Sequence, residues 1–133
     1  MAIKKVFISH CWDYGDDYEK LKEWADNTPR VTIYDYSISA DKKLTGLTDS
    51  QLKDAITERI RQCSVFIVPT AVYSSCSDWV GFEIRTAVSM NKPILGVNPW
   101  AQKHYSQFVT TNADKIVGWQ EKSVQSAIKE LTK

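Results

Sequence analysis

Apolar residues follow two alternating patterns along the chain. Short segments with consecutive apolar residues, such as Val6, Phe7 and Ile8, are typical of strands buried on both faces. Longer segments between them carry apolar residues three or four positions apart, which is typical of amphipathic helices. The strands predicted in this way are 3–9, 31–36, 64–68, 94–97 and 115–117. The helices predicted are 16–26, 49–62, 78–90, a short one at 102–109, and one around 124–131.

Local side-chain patterns mark where two of the helices begin. Thr48 and Gln51 have the spacing of a capping box, in which each side chain bonds the backbone N–H of the other residue. Leu47 and Leu52 occupy the two positions of a hydrophobic staple around the same start. Ser77 is the predicted N-cap of the helix that follows the third strand.

The alternation of strands and helices predicts an α/β fold. At 133 residues the chain has the length of one domain, 1–133. Buried strands joined by helices favour a flavodoxin-like three-layer sandwich, with a five-stranded parallel sheet in the order 2-1-3-4-5. In such sheets, ligands bind outside the carboxyl ends of the strands, where the strand order reverses. We therefore expect a crevice between strands one and three, walled by the loops 9–15, 37–47 and 70–77.

Composition narrows the function classes. Apolar residues make up 43% of the chain and charged residues 25%, as in ordinary globular domains. The net charge of +1 gives no basic excess, so we expect no nucleic-acid partner. No apolar run approaches the roughly 20 residues that cross a bilayer, and no signal peptide is evident, so a cytoplasmic protein without a membrane partner is expected. Cys11, Cys63 and Cys76 suggest neither a disulfide framework nor a zinc site.

Three common functions of this fold lack their residues here. A phosphate-accepting receiver domain needs an Asp at the end of strand three, where this chain has Val68 and Pro69. A flavodoxin needs a small, polar phosphate loop after strand one, whereas residues 9–14 are bulky and aromatic. The glycine-rich patterns that bind dinucleotides or nucleoside triphosphates do not occur.

The strongest candidate chemistry lies at the start of the helix after strand three. Trp79 and Glu83 are four residues apart, so they share one helical face near the predicted crevice. In one interpretation Trp79 belongs to the core and Glu83 is solvated; an exposed Glu83→Gln change then alters stability by under about 0.5 kcal/mol. In the other, an aromatic ring beside a carboxylate binds a planar, cationic, glycosylated ligand.

These residues resemble the TIR (Toll/interleukin-1 receptor) domain family. The matching pieces are the 7–10 segment Phe-Ile-Ser-His, the long loop before the second helix, and the pattern Ser75-x-Ser77-x-Trp79-x3-Glu83. The segment 7–18 is most similar to the bacterial branch found in Thoeris anti-phage defence. The resemblance implies an enzyme that cleaves NAD, with Glu83 as the catalytic residue. It also implies cyclisation of the product to an isomer of cyclic ADP-ribose, which activates a separate effector as a diffusible signal.

The chemistry of NAD suits a site with one carboxylate. Ordinary glycosidases use two, because the leaving oxygen must be protonated. Nicotinamide in NAD is already cationic and leaves as a neutral base, so one anion that stabilises the oxocarbenium-like ribose is sufficient. Water as the nucleophile gives ADP-ribose, and a hydroxyl or adenine of the same molecule gives a cyclic product. Exclusion of water by the loop 37–47 would favour cyclisation. The resemblance thus implies NAD as a substrate, and no resident cofactor or metal is expected.

Further residues around the predicted crevice are candidates for substrate binding, each with a structural alternative. Phe7 contacts the nicotinamide or ribose, or belongs to the core. Ser9 ends strand one inside the crevice. His10 contacts ligand or forms a structural hydrogen bond. Trp12 covers the ligand or forms an assembly patch.

Five other candidates lie at the end of strand two and in the second and third loops. Asp35 holds a ribose hydroxyl or caps a turn. Lys42 and Lys43 meet the pyrophosphate or are simply solvated. Ser75 and Ser77 contact the ligand or cap the helix.

Two functions compete with the enzyme. A non-catalytic TIR scaffold would act by self-association or by binding another TIR domain. A nucleotide-binding sensor would bind without turnover. Release of nicotinamide from NAD separates the enzyme from both of these alternatives.

Overall fold

The predicted sheet is present in the computed structural model of the chain, which describes residues 2–9, 15–35, 48–69, 77–98 and 107–132. Its strands are β1 (Ala2–Ile8), β2 (Val31–Asp35), β3 (Val65–Pro69), β4 (Ile94–Asn98) and β5 (Lys115–Gly118). All neighbouring strands are parallel, and their order is β2-β1-β3-β4-β5. The predicted flavodoxin-like topology is therefore confirmed.

Helices connect the strands close to the predicted boundaries. They are α1 (Gly15–Asp26), α2 (Asp49–Gln62), α3 (Ser77–Ser89), α4 (Gln107–Asn112) and α5 (Glu121–Leu131). The helix α3 begins at Ser77, one residue earlier than predicted. The helix α4 extends past the predicted 102–109, because the fully buried Val109 anchors its beginning rather than its end. Residues 99–106 lie outside the described ranges.

The helices cover both faces of the sheet. On one face, α2 and α3 bury Ile56, Ile60 and Ile84 against Phe7 and Phe66 of the sheet. On the other face, α1 and α5 bury their own apolar residues against alternate positions of the same strands. Side chains of successive strand residues point to opposite faces. Odd-numbered positions of β1 therefore face α2 and α3.

The capping box at the start of α2 is formed as predicted. The Thr48 hydroxyl accepts from the Gln51 N–H at 3.1 Å, and the Thr48 N–H donates to Gln51 Oε1 at 2.9 Å. Leu47, the first member of the predicted staple, lies outside the described residues, while Leu52 is buried in the core.

Loss of this cap has a measurable cost. We expect Thr48→Ala to lower the free energy of unfolding by about 1 kcal/mol, because the Gln51 N–H loses its acceptor. Urea denaturation measures this difference. Ser50→Ala, an exposed change two residues into the same helix, is the control and should stay within about 0.5 kcal/mol of wild type. Equal stability of Thr48→Ala and wild type would argue against a contribution from the cap.

None of the described helices is long and apolar enough to cross a membrane. Within the described ranges, no cluster of three or more His, Cys, Asp or Glu side chains has the arrangement of a metal site. Cys63 is a buried free thiol, and burial raises its pKa to about 11. Cys11 and Cys76 lie outside these ranges.

Candidate active site

A buried carboxyl group lies where β1 and β3 end. Glu83, in the second turn of α3, is 5% exposed, and Ser9, the residue after β1, is fully buried. The Ser9 hydroxyl donates to Glu83 Oε1 at 2.6 Å. The Ser9 N–H also donates to the Ile67 carbonyl at 2.7 Å, which extends the pairing of β1 with β3 by one residue. The pair therefore lies at the point where the strand order reverses.

The local sequence explains why Glu83 is buried. Val80, Ile84 and Ala87 form the apolar stripe by which α3 packs on the sheet, and Glu83 lies within that stripe. On β1, Ser9 lies two residues after Phe7 and faces the same helix layer. Ser9 thus places a hydroxyl at the rim of the apolar cluster, and among the described residues this hydroxyl is the hydrogen-bond partner of the Glu83 carboxyl group.

Burial controls the protonation of Glu83. Desolvation raises its pKa from the ordinary value of 4.5 to about 8, and the hydrogen bond from Ser9 opposes that shift by favouring the charged form. The neutral acid thus predominates at pH 7 without a ligand. A cation bound beside Glu83 would favour its ionisation. Since Glu83 is buried, the interpretation of Glu83 as a solvated residue is wrong. The small effect of Glu83→Gln on stability was expected from an exposed position, so that expectation loses its basis and stays untested.

Removal of the Ser9 hydroxyl should make Glu83 still harder to ionise. We expect Ser9→Ala to raise the Glu83 pKa above its wild-type value, because the carboxylate loses its donor. The carboxyl carbon resonance of Glu83, followed by NMR through pH 6–10, measures this change. Ser89→Ala, which removes a hydroxyl that donates to the Thr86 carbonyl, is the control and should leave the titration unchanged. An unchanged titration in Ser9→Ala would contradict the assigned hydrogen bond.

Trp79 is half-buried and packs on the same core cluster as Phe7 and Ile84. A cation lies over its ring: Lys53 Nζ of α2 is 6.0 Å from the Trp79 ring centroid and 5.5 Å from that of Phe82. Lys53 is not among the candidate residues predicted from the sequence. The sequence did contain a signal for it. Lys53 follows the capping residue Thr48 by five positions, which places it in the second turn of α2, beside the start of α3.

Phe7 belongs to the core cluster on which Trp79 packs. Its ring is 1% exposed and stacks on Phe66 with centroids 5.5 Å apart and planes at 11°. The position of Phe7 therefore supports the alternative that it belongs to the core. Contact of Phe7 with a ligand stays a prediction.

The structure does not describe the side chains of the other candidates. His10, Trp12, Lys42, Lys43 and Ser75 lie outside the described residues. For Asp35 and Ser77 only the backbone is described, so the sites predicted for their side chains stay predictions. Asp35 is the last residue of β2, and Ser77 is the first of α3.

Two cavities lined by described residues lie away from Glu83. One of about 520 Å³ lies at the amino end of β4, between Val88, Asn112 and Leu131. Another of about 330 Å³ lies between β5 and α5. Most residues of the loops predicted to wall the crevice over Glu83, namely 10–14, 37–47 and 70–76, fall outside the described residues.

Comparison with known proteins identifies one matching family. The family model described as Thoeris protein ThsB, TIR-like domain, matches residues 7–104, which include both Ser9 and Glu83. No curated protein matches the chain.

Solved structures share the architecture at low sequence identity. A CMP N-glycosidase of Clostridium botulinum, BcmB, has a TM-score of 0.59 and 16% identity, covering 96% of this chain and 99% of that one. A 3-dehydroquinate dehydratase-like protein of Bifidobacterium longum has a TM-score of 0.52 and 10% identity, covering 99% and 96%. These similarities support the fold.

Proposed function

Because the chain belongs to the TIR-like domain family of the Thoeris protein ThsB, we propose that it is an enzyme that cleaves the nicotinamide–ribose bond of NAD and cyclises the ADP-ribose product. The observation that carries the proposal is the Glu83 carboxyl group. It is buried at the strand-order reversal and hydrogen-bonded to Ser9. Buried charges are costly unless paired, so such a group at a ligand-binding edge is a candidate for function.

In the proposed reaction the C1′–N bond breaks and nicotinamide leaves with the bonding electron pair as a neutral base. The ribose becomes cationic at C1′, and the Glu83 carboxylate stabilises that charge in a site of low dielectric. The attacking group then bonds to C1′. If this group is a hydroxyl, its proton passes to Glu83, and Ser9 holds the carboxyl group in position throughout. NAD is the substrate, so this chemistry requires no resident cofactor or metal.

A direct assay tests the proposal. The protein is incubated with NAD, and products are separated by chromatography with mass detection. We expect free nicotinamide and a cyclic second product. The mass of this product should equal that of NAD minus nicotinamide. If linear ADP-ribose is the only product besides nicotinamide, the proposed cyclisation is contradicted. Absence of nicotinamide, with assembly that grows with protein concentration, would favour the scaffold acting by self-association.

A second candidate reaction is cleavage of a nucleotide whose base is not cationic. The neutral form of Glu83 at pH 7 favours it, because such a base leaves well only when a general acid protonates it. The Clostridium botulinum protein of similar fold is a CMP N-glycosidase. Incubation with CMP in the same assay tests this reaction through release of cytosine.

The pH dependence separates the two reactions. For NAD cleavage, kcat/KM should rise by up to about tenfold per pH unit from pH 5.5 to 7.5 and level off above pH 8, because the free enzyme must lose the Glu83 proton. For a neutral base, kcat/KM should instead fall above pH 8, since the proton is then the catalyst. Initial rates at low substrate concentration, measured in one mixed buffer, give either profile. A flat profile over pH 5.5–8.5 would contradict both assignments of Glu83.

A further inference from the structure

Lys53 is a cation fixed beside the candidate site. The helices α2 and α3 each follow a parallel strand and run back along the sheet, so both begin at the edge formed by the carboxyl ends of the strands. Lys53 lies in the second turn of α2, and Trp79 lies in the first turn of α3. The contact between them therefore lies at the same edge as Glu83, which follows Trp79 by one helical turn.

Among the described residues, no side chain of opposite charge pairs with Lys53. The faces of Trp79 and Phe82 hold the ammonium group at 6.0 and 5.5 Å, while the side chain as a whole is exposed. An exposed contact of this kind is weak, so it orients the ammonium group without preventing it from bonding an anion.

NAD carries anionic groups close to the bond that breaks. Its pyrophosphate is joined to the nicotinamide ribose through one short C5′–O5′ link. A ribose that meets Glu83 thus places phosphate oxygens within a few ångströms of the same edge. An ammonium group on a flexible four-carbon stem is a common ligand for phosphate.

We propose that Lys53 is a phosphate-binding residue of this site and that it holds the pyrophosphate of NAD while Glu83 faces the ribose. This inference rests on the proposed function. Lys53 contributes binding that is the same in the ground state and in the transition state, because the phosphates do not take part in bond cleavage. Loss of its charge therefore affects KM rather than kcat.

The test compares substrates that differ in phosphate content. Wild type, Lys53→Met and Lys53→Arg are assayed with NAD, with nicotinamide mononucleotide and with nicotinamide riboside, which has no phosphate. We expect Lys53→Met to raise KM for the first two by about 10-fold with kcat unchanged, and to leave kcat/KM for the riboside unaltered. Lys53→Arg should keep most of the affinity. Lys122→Met, an exposed change on α5 across the sheet, is the matched control.

Two results would overturn the role of Lys53. One is an equal loss of kcat/KM for all three substrates in Lys53→Met, which indicates a structural role in holding Trp79. The other is no change with any substrate.

If wild type releases no nicotinamide, the proposed function fails, and calorimetric titration with ADP-ribose tests Lys53 separately. There, a Kd about 10-fold higher in Lys53→Met than in wild type supports phosphate binding. Equal Kd values, or no binding by wild type, contradict it.

Discussion

Replacement of Glu83 by Gln is expected to lower kcat for nicotinamide release by at least about 100-fold. Gln has nearly the same shape, and its amide oxygen can accept the Ser9 hydroxyl as Glu83 Oε1 does. It cannot become an anion, so the cationic ribose loses the charge that stabilises it. The effect should appear mainly in kcat, because the interaction strengthens as the C1′–N bond breaks. Nicotinamide release, measured at saturating NAD, gives the ratio.

Two controls separate chemistry from folding. Glu58→Gln removes an exposed carboxylate from α2 that bonds Arg61 and Gln62, and it should retain wild-type activity. Circular dichroism should show that Glu83→Gln keeps its secondary structure. A Glu83→Gln protein that retains more than about a tenth of wild-type kcat would contradict the assigned role. If the neutral-base reaction is the true one, Gln is also inactive, and the pH profile of wild type distinguishes the two.

The elements that could be predicted from the sequence depend on local patterns. The runs around Val6 and Phe66 predicted strands because residues buried on both faces leave no polar alternation. The cap formed by Thr48 and Gln51 could be predicted because both partners lie within one turn. The parallel order of the strands then follows from the alternation of elements, since crossover connections allow few arrangements.

The burial of Glu83 could not be predicted from the spacing between Trp79 and Glu83. That spacing sets the two residues on one helical face but does not say which face meets the sheet. The stripe formed by Val80, Ile84 and Ala87 does say so, and Glu83 lies within it. A charged residue within an apolar stripe is therefore more informative than the four-residue spacing alone.

The partners of the site depend on contacts distant in sequence. Ser9 and Glu83 are 74 residues apart, so their hydrogen bond exists only once β1 pairs with β3 and α3 packs across them. The position of Lys53 over Trp79 likewise needs α2 and α3 side by side. Sequence patterns indicated which edge of the sheet would carry the site, and tertiary packing decided which side chains meet there.

Burial of Glu83 is expected to make the protein less stable as the pH rises from 5 to 8.5. The unfolded chain loses the Glu83 proton near 4.5, whereas the folded protein keeps it up to about 8. Between these values the native state binds more protons than the unfolded state, so the free energy of unfolding falls as pH rises. At about 1.36 kcal/mol per pKa unit, the upper bound of this loss is about 4–5 kcal/mol.

Glu83→Gln should remove this pH dependence of the free energy of unfolding, so the variant should be the more stable protein at high pH. Near pH 5 both side chains are neutral in the native state, and the two proteins should differ by no more than about 1 kcal/mol. At pH 8.5 the variant should be more stable than wild type. Gln does not ionise, whereas wild type must either keep a proton on Glu83 or bury its charge. Urea denaturation of both proteins at pH 5, 6, 7, 8 and 8.5 measures the difference, in which other titrating groups cancel. Above pH 8.5 both proteins should lose further stability, because burial raises the pKa of the Cys63 thiol from 9.0 to about 11, and this common loss also cancels in the difference. A constant difference between the two proteins would mean that Glu83 is ionised throughout, and the carboxylate would then need a cationic partner from outside the described residues, since those around it supply only the Ser9 hydroxyl.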